Sequence, residues 1–153
     1  MATWYTLRNA TPSAIALDLA EVLENLAPRM RQTQGDTGGL NRARLVKAVG
    51  PALVRFDLTD KEVDSFNSRE IDLWSAASGV AISLQTGRAY TNNGAFVAVL
   101  AAAAHRSVDW LVLGIPEAYK GGAQAAPVSL QIGELLRTRG IALDLDGVAL
   151  VAY

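Results

Sequence analysis

A chain of 153 residues, half of them apolar, is long enough to bury one core of ordinary size without staples. It holds no cysteine, which excludes a disulfide framework, a thiolate metal site and a cysteine nucleophile, and mildly favours a reducing compartment. Fourteen Lys and Arg stand against fifteen Asp and Glu, a formal net charge of −1, which excludes the strongly basic balance of a protein that coats nucleic acid but allows a local basic patch.

The N-terminal segment MATWYTLRNATPS has no apolar stretch of signal-peptide type. Residues 12–32 carry apolar positions at helical spacing, with Ile15, Leu19, Val22, Leu23 and Leu26 on one stripe, Thr11 as N-cap and Pro12 as first helical residue. The polar, glycine-rich residues 32–39 read as a loop. Residues 40–56 read as a second helix, broken or kinked near Gly50–Pro51, whose face carries Arg42, Arg44, Lys47 and Arg55.

The pattern then changes. Residues 62–76 alternate enough for a strand, a turn follows at 77–79, and residues 80–89 form a second strand. Residues 92–107 read as a helix with asparagine at its start. Residues 108–116, VDWLVLGIP, are a continuous apolar run of strand length, suited to a central strand covered on both faces. Residues 129–140 form a helix closed by Gly140 as its C′ residue. Residues 141–145 and 147–153 resemble a terminal hairpin, or a strand plus an edge strand, turning at Asp146–Gly147. The expectation is one mixed α/β domain over residues 1–153, mainly helical in 1–58 and built on a sheet in 59–153. The longest apolar block, GAFVAVLAAAAH, is shorter than the ~20 residues a bilayer span needs, so a cytoplasmic protein without membrane contact is expected.

No glycine-rich fingerprint follows a strand and no phosphate-loop lysine motif occurs, so nucleotide-binding folds have no foothold. Asp144 and Asp146 resemble the aspartate motif of haloacid-dehalogenase-type phosphatases, which in that family lies near the N-terminus; here the pair reads as a turn. His105 is the single histidine and reads as a polar cap at a helix end. Without a second histidine or a cysteine, a metal would have to be a hard cation held by oxygen ligands.

Such a site needs carboxylates converging from adjacent strands, and residues 69–93 supply the geometry. Asp72 lies on one strand; Ser83 and Gln85 share one face of the next, because the strand period is two. Glu70 lies two residues before Asp72 on the same face, and Glu62, Glu21 and Glu24 are further carboxylates within the chain's reach. The helix starting near Asn92 offers amides to a phosphate. Each residue also has a plain structural reading: Asp72 as an edge ion pair with Arg69, Gln85 satisfying a neighbouring backbone group, Asn92 as a helix cap, and the basic residues as a solvated face.

The order acid strand, second strand, helix, apolar strand resembles the PD-(D/E)xK nuclease superfamily over roughly residues 60–120. Asp72 in REIDLW matches the first acid and AISLQTGRA matches the second strand. Glutamine at 85, where lysine is commoner, is similar to the BglII-related branch of restriction enzymes. The resemblance implies a restriction-endonuclease-like core: a mixed central sheet of four to five strands flanked by helices. It implies a DNA endonuclease that hydrolyses phosphodiesters with Mg²⁺ or Mn²⁺. Asp72, Glu70 and Ser83 would face the metal, and Gln85 would orient the water or phosphate. Arg88, Asn92, Arg42, Arg44 and Lys47 would contact double-stranded DNA, and a homodimer would place one site on each strand. The departure is Ser83, where the pattern has an acid; a neutral hydroxyl does not balance a divalent ion. The alternative is a DNA-binding or partner-binding module on the same fold, with catalysis lost.

Overall fold

The apolar run read as a central strand is one: Trp110–Ile115 is buried at every position and paired on both edges. The computed structural model describes every residue except 34–39, 61–69 and 139. In chain order it shows β1 (Thr3–Thr6), α1 (Ala14–Arg31), α2 (Arg42–Leu53), a 3-10 turn (Val54–Phe56), β2 (Leu73–Ser75), β3 (Val80–Leu84), α3 (Gly94–Ala104), β4 (Trp110–Ile115), β5 (Ala118–Tyr119), β6 (Gly122–Ala123), α4 (Ala125–Arg137) and β7 (Gly147–Ala152). Five strands form one mixed sheet in the order β1-β7-β4-β3-β2; β5 and β6 make a separate small hairpin. The inner strands β3, β4 and β7 are parallel, and β1 and β2 run antiparallel at the edges.

The crossovers β3–α3–β4 and β4–α4–β7 step the same way across the sheet, so a shared crossover hand sends both helices to one face. There Ala98, Val99, Ala102, Val128 and Ile132 pack on Ala81, Leu111, Leu113, Val148 and Leu150. On the other face Leu19, Leu23 and Met30 of α1 and Leu45 and Val49 of α2 pack on Ile82, Val112 and Val151. The alternation of these two sets along each strand follows the two-residue period, and the double cover explains why the strands read as unbroken apolar runs.

Several boundaries and elements differ from the sequence reading. Ser13, not Thr11, caps α1, its hydroxyl accepting from the Ala16 N–H at 3.1 Å. Ile15 is 40% exposed, because the buried stripe runs through Ala16, Leu19, Ala20, Leu23, Ala27 and Met30. The second helix does not break at Pro51, which lies inside it at the cost of the one N–H bond that would reach back to the Lys47 carbonyl, and a 3-10 turn continues the chain. Helix α4 ends at Arg137 with Thr138 as its C-cap, so Gly140, at φ +93°, is not its closing residue.

The terminal hairpin is absent. Gly147 opens β7, which pairs with β4 and β1 rather than with residues 141–145. Its lack of a side chain serves close approach: a Cβ there would collide with the Tyr5 carbonyl and the Trp110 ring. The edge strand β1, unread in the sequence, comes from the part expected to be helical. Most of the strand expected over 62–76 falls outside the described residues; what is described is β2, with Thr59 bridging Trp74.

Candidate functional site at the carboxyl edge of the parallel strands

Parallel sheets of this kind place their ligands beyond the carboxyl ends of the strands. Leu84, Gly114 and Val151 stand in register there, at the ends of β3, β4 and β7. The loop 85–93, the start of α2 and the β5–β6 hairpin close around them. The Leu40 N–H donates to the Thr86 carbonyl at 3.0 Å, and the Tyr90 N–H to Gln124 Oε1 at 3.2 Å.

Asp72 enters this edge just ahead of β2, its N–H donating to the Ile82 carbonyl at 2.8 Å. Beyond the last ladder pair, Leu73 with Ile82, its side chain takes over the work of the missing strand: Oδ2 accepts the Leu84 N–H at 2.6 Å. Arg42, in the first turn of α2, closes on the same carboxylate at two points, Nε to Oδ1 at 2.5 Å and Nη2 to Oδ2 at 3.1 Å. Two parallel N–H bonds from one planar guanidinium are the strong form of this pair. The Asp72 side chain is 6% exposed and that of Arg42 36%. Burial alone would pull the Arg42 guanidinium below its ordinary pKa, but the hydrogen bonds and charge of Asp72, helped by Glu70 and Tyr153, hold it above that value.

Ser83 and Gln85 share the parity of Ala81 and so belong to the α3–α4 side of β3, opposite the layer that holds Arg42. Ser83 is fully buried, and its Oγ accepts from Gln85 Nε2 at 2.9 Å. The same nitrogen reaches Glu70 Oε2 at 3.4 Å, a weak contact. Gln85 Oε1 lies over Gly94, where a Cβ would stand 2.5 Å away. The Gln85 carbonyl accepts the Tyr153 hydroxyl. Burial pushes the Tyr153 phenol far above the ordinary tyrosine range; the Asp72 charge adds to this and Arg42 opposes it.

The structure therefore brings Asp72, Glu70, Ser83 and Gln85 to one edge but divides their contacts into two sets. Asp72 is held by Arg42 and the Leu84 amide, while Ser83 and Glu70 are held by Gln85. Arg42 is turned inward to Asp72, whereas Arg44 and Lys47 are exposed on α2. Arg88 is exposed in the loop after β3, and Asn92 is exposed with its N–H donating to the Arg88 carbonyl at 3.0 Å. Asn93 rather than Asn92 precedes α3, at φ 55°, and its side chain makes no capping bond. Arg55 lies elsewhere, bonded to Asp18 at 2.6 Å over the Phe56 ring. Glu24 faces the N-terminal amine at 3.6 Å and Glu21 is exposed on α1. Glu62 and Arg69 lie outside the described residues. His105 caps α3, its ring 4.3 Å from that of Trp74.

Both ends of the sheet carry charges of both signs: Glu117 stands beside Lys120 at the carboxyl edge, and Arg8 and Arg55 stand among the acids of the opposite end. Arg44, Arg88 and Lys120 are exposed at the carboxyl edge, and none is in an ion pair with a described residue. At the opposite end gather Asp57, Asp109, Asp144 and Asp146; Asp144 pairs with Arg8, and the Asp146 N–H donates to the Asp109 carbonyl. A cleft of about 200 Å³ opens at the carboxyl edge between Arg31, Leu40, Glu117, Lys120, Gly121 and Tyr153.

As arranged, these donors do not fit Mg²⁺. Among the described residues, no three His, Cys, Asp or Glu side chains are grouped to hold a metal. Asp72 already carries a cation, and the Ser83 hydroxyl is sealed in the core. An ion on the Asp72 carboxylate would lie within roughly 5 Å of the guanidinium, where each unit of like-charge product costs about 3 kcal/mol at an effective dielectric of ~20, doubled for a divalent ion.

Sequence reasoning missed two contacts and one residue. The approach of Arg42 to Asp72 leaves no local mark across 30 residues, nor does that of Tyr153 to Gln85 across 68. The Lys120 hairpin had a signal in the Gly121–Gly122 pair, a turn marker that went unread.

No family model, curated protein or solved structure matches this chain. What the fold defines is an α/β protein with a mixed five-stranded sheet flanked by helices. Among the described residues no helix is long and apolar enough to cross a membrane.

Proposed function

We propose that this chain is a DNA-binding module on a restriction-endonuclease-like scaffold, engaging duplex DNA with the carboxyl edge of its sheet. The observation that carries the reading is the placement of Arg44, Arg88 and Lys120, exposed and unpaired among the described residues, around the Asp72–Gln85 strand pair. Cations clustered at one edge bind phosphates even when the net charge is near zero, since the local field decides. The chain order of Asp72 strand, Gln85 strand, α3 and β4 agrees with what the superfamily resemblance implies. Binding without hydrolysis is favoured over Mg²⁺-dependent cleavage because Asp72 is neutralised by Arg42 and Ser83 replaces the second acid.

The test is fluorescence anisotropy of a labelled duplex oligonucleotide across a salt series, beside plasmid incubation in Mg²⁺ and in Mn²⁺. The expected result is salt-sensitive binding, a salt slope lowered by about one when Arg88 or Arg44 is replaced by alanine, and intact plasmid. Cleavage lost in Asp72→Ala would establish a working endonuclease instead, and sedimentation would then show the homodimer that cutting both strands calls for. Absence of binding at low salt would move the assignment to a partner-binding module.

A further inference from the structure

We infer that a second cleft, at the amino end of the parallel strands, is a binding site for a small primary alkylammonium. Asp57 and Ser78 take its ammonium head, and Ile15 and Ala77 its hydrocarbon body. The cleft lies at the end of the sheet opposite the proposed DNA-facing edge and is independent of it.

Three segments enclose a space of about 370 Å³. They are the start of α1 with Ile15 and Asp18, the 3-10 turn with Asp57 behind it, and the turn between β2 and β3 with Ala77 and Ser78. Spaces of this size hold small organic ligands. Arg55 also lines the cleft, but its charge is answered: the guanidinium bonds Asp18 at 2.6 Å and lies 4.7 Å over the Phe56 ring. Asp57 has no ion-pair partner among the described residues. Its backbone is left-handed, φ 50° and ψ 44°, a conformation that glycine adopts most easily and aspartate tolerates. The chain thus carries a carboxylate where the backbone favours glycine.

Ser78 Oγ is buried in the same lining and hydrogen-bonds to nothing among the described residues. Such hydroxyls are rare, because their loss of water goes uncompensated. The cleft therefore offers one unanswered negative charge and one unanswered hydroxyl beside apolar side chains. An ammonium has three N–H donors and no acceptor. It can give one bond to the Asp57 carboxylate and one to the Ser78 oxygen. An anion is disfavoured, since two carboxylates stand against one guanidinium in the lining. A metal ion lacks ligands, since no three metal-binding side chains are grouped among the described residues.

Binding is measured by two-dimensional ¹H–¹⁵N NMR as n-butylammonium chloride is titrated into the full chain at constant ionic strength. n-Butanol serves as the uncharged probe with the same body. The expected result is saturable shifts at the amides of residues 55–57 and 77–78, and no saturation with n-butanol. Affinity falls about tenfold in Asp57→Asn and in Ser78→Ala, and is unchanged in Asp144→Asn. Ser78→Ala removes a hydroxyl that bonds to nothing, so without amine its urea midpoint is no lower than that of the natural chain. Saturating amine raises the midpoint of the natural chain more than that of Ser78→Ala. Absence of saturation in the natural chain would overturn the inference. So would equal binding of n-butanol or undiminished affinity in Asp57→Asn, which would reduce the cleft to an apolar hollow beside surface acids. A lowered midpoint for Ser78→Ala without amine would overturn it too, because the hydroxyl would then be bonded within the chain.

Discussion

The Tyr153 hydroxyl donates to the Gln85 carbonyl, joining the end of β7 to the end of β3 across the strand that separates them. The ring reaches over β4 because Gly114 has no side chain: a Cβ there would stand 2.9 Å from Leu84 Cδ2 and 3.2 Å from Tyr153 Cε1. The link anchors Gln85, and with it the Ser83 and Glu70 contacts, to the rigid centre of the sheet.

Tyr153→Phe removes the hydroxyl and leaves a buried carbonyl without its donor. A loss of about 1–3 kcal/mol is expected, read as a lower urea midpoint at unchanged slope.

The same residue sets a limit at high pH. Its folded pKa is raised by burial and by Asp72, while a tyrosine of the unfolded chain ionises near pH 10. The native state then holds a proton that the unfolded state releases. This contribution is complete below about pH 10 and is lost as pH climbs toward the folded value, at up to about 1.4 kcal/mol per pH unit. Urea midpoints between pH 8 and pH 11 fall less steeply in Tyr153→Phe than in the natural chain. Equal slopes would show that Tyr153 is accessible in the fold.

Asp72→Ala takes the acceptor from the Leu84 amide and leaves a half-buried guanidinium unpaired, for a cost of about 2–4 kcal/mol. Arg42→Ala leaves the more deeply buried carboxylate. The double variant costs less than the two singles added, with a coupling of about 1–3 kcal/mol measured by chemical denaturation. Simple additivity would mean that the pair is held apart in solution.

Gly114→Ala overpacks the centre of the sheet, since the added Cβ falls 2.9 Å from Leu84 Cδ2 and 3.2 Å from Tyr153 Cε1. A destabilisation of about 1–3 kcal/mol is expected. Adding Tyr153→Leu recovers part of it if the ring is the obstacle. An unrelieved loss would place the conflict at Leu84.

Features that depend on local periodicity were readable in advance. The run 108–116 is apolar on both faces because helices cover both, and it sits where such a run belongs. Helix α3 was legible from its eleven residues without a charge, and α1 and α4 from their spacing. Gly147 shows the limit of local reading. An Asp-Gly step is a turn marker by itself, but here the glycine admits the neighbouring strands β1 and β4 at close range, and those neighbours come from more than 30 residues away. Strand β1 was invisible for a similar reason: four residues have too little pattern of their own, and their partner is β7.

The acidic position beside an apolar strand pair was plain from the sequence by itself, because chemistry and the two-residue period are local properties. So was the absence of a second acid at Ser83. What that acid does was decided only by tertiary structure. Helix α2 crosses the sheet and delivers Arg42 to Asp72, and two charges that must leave water together are stable only when they meet in matched geometry. Which residue supplies the opposite charge is a matter of packing between elements far apart in the chain.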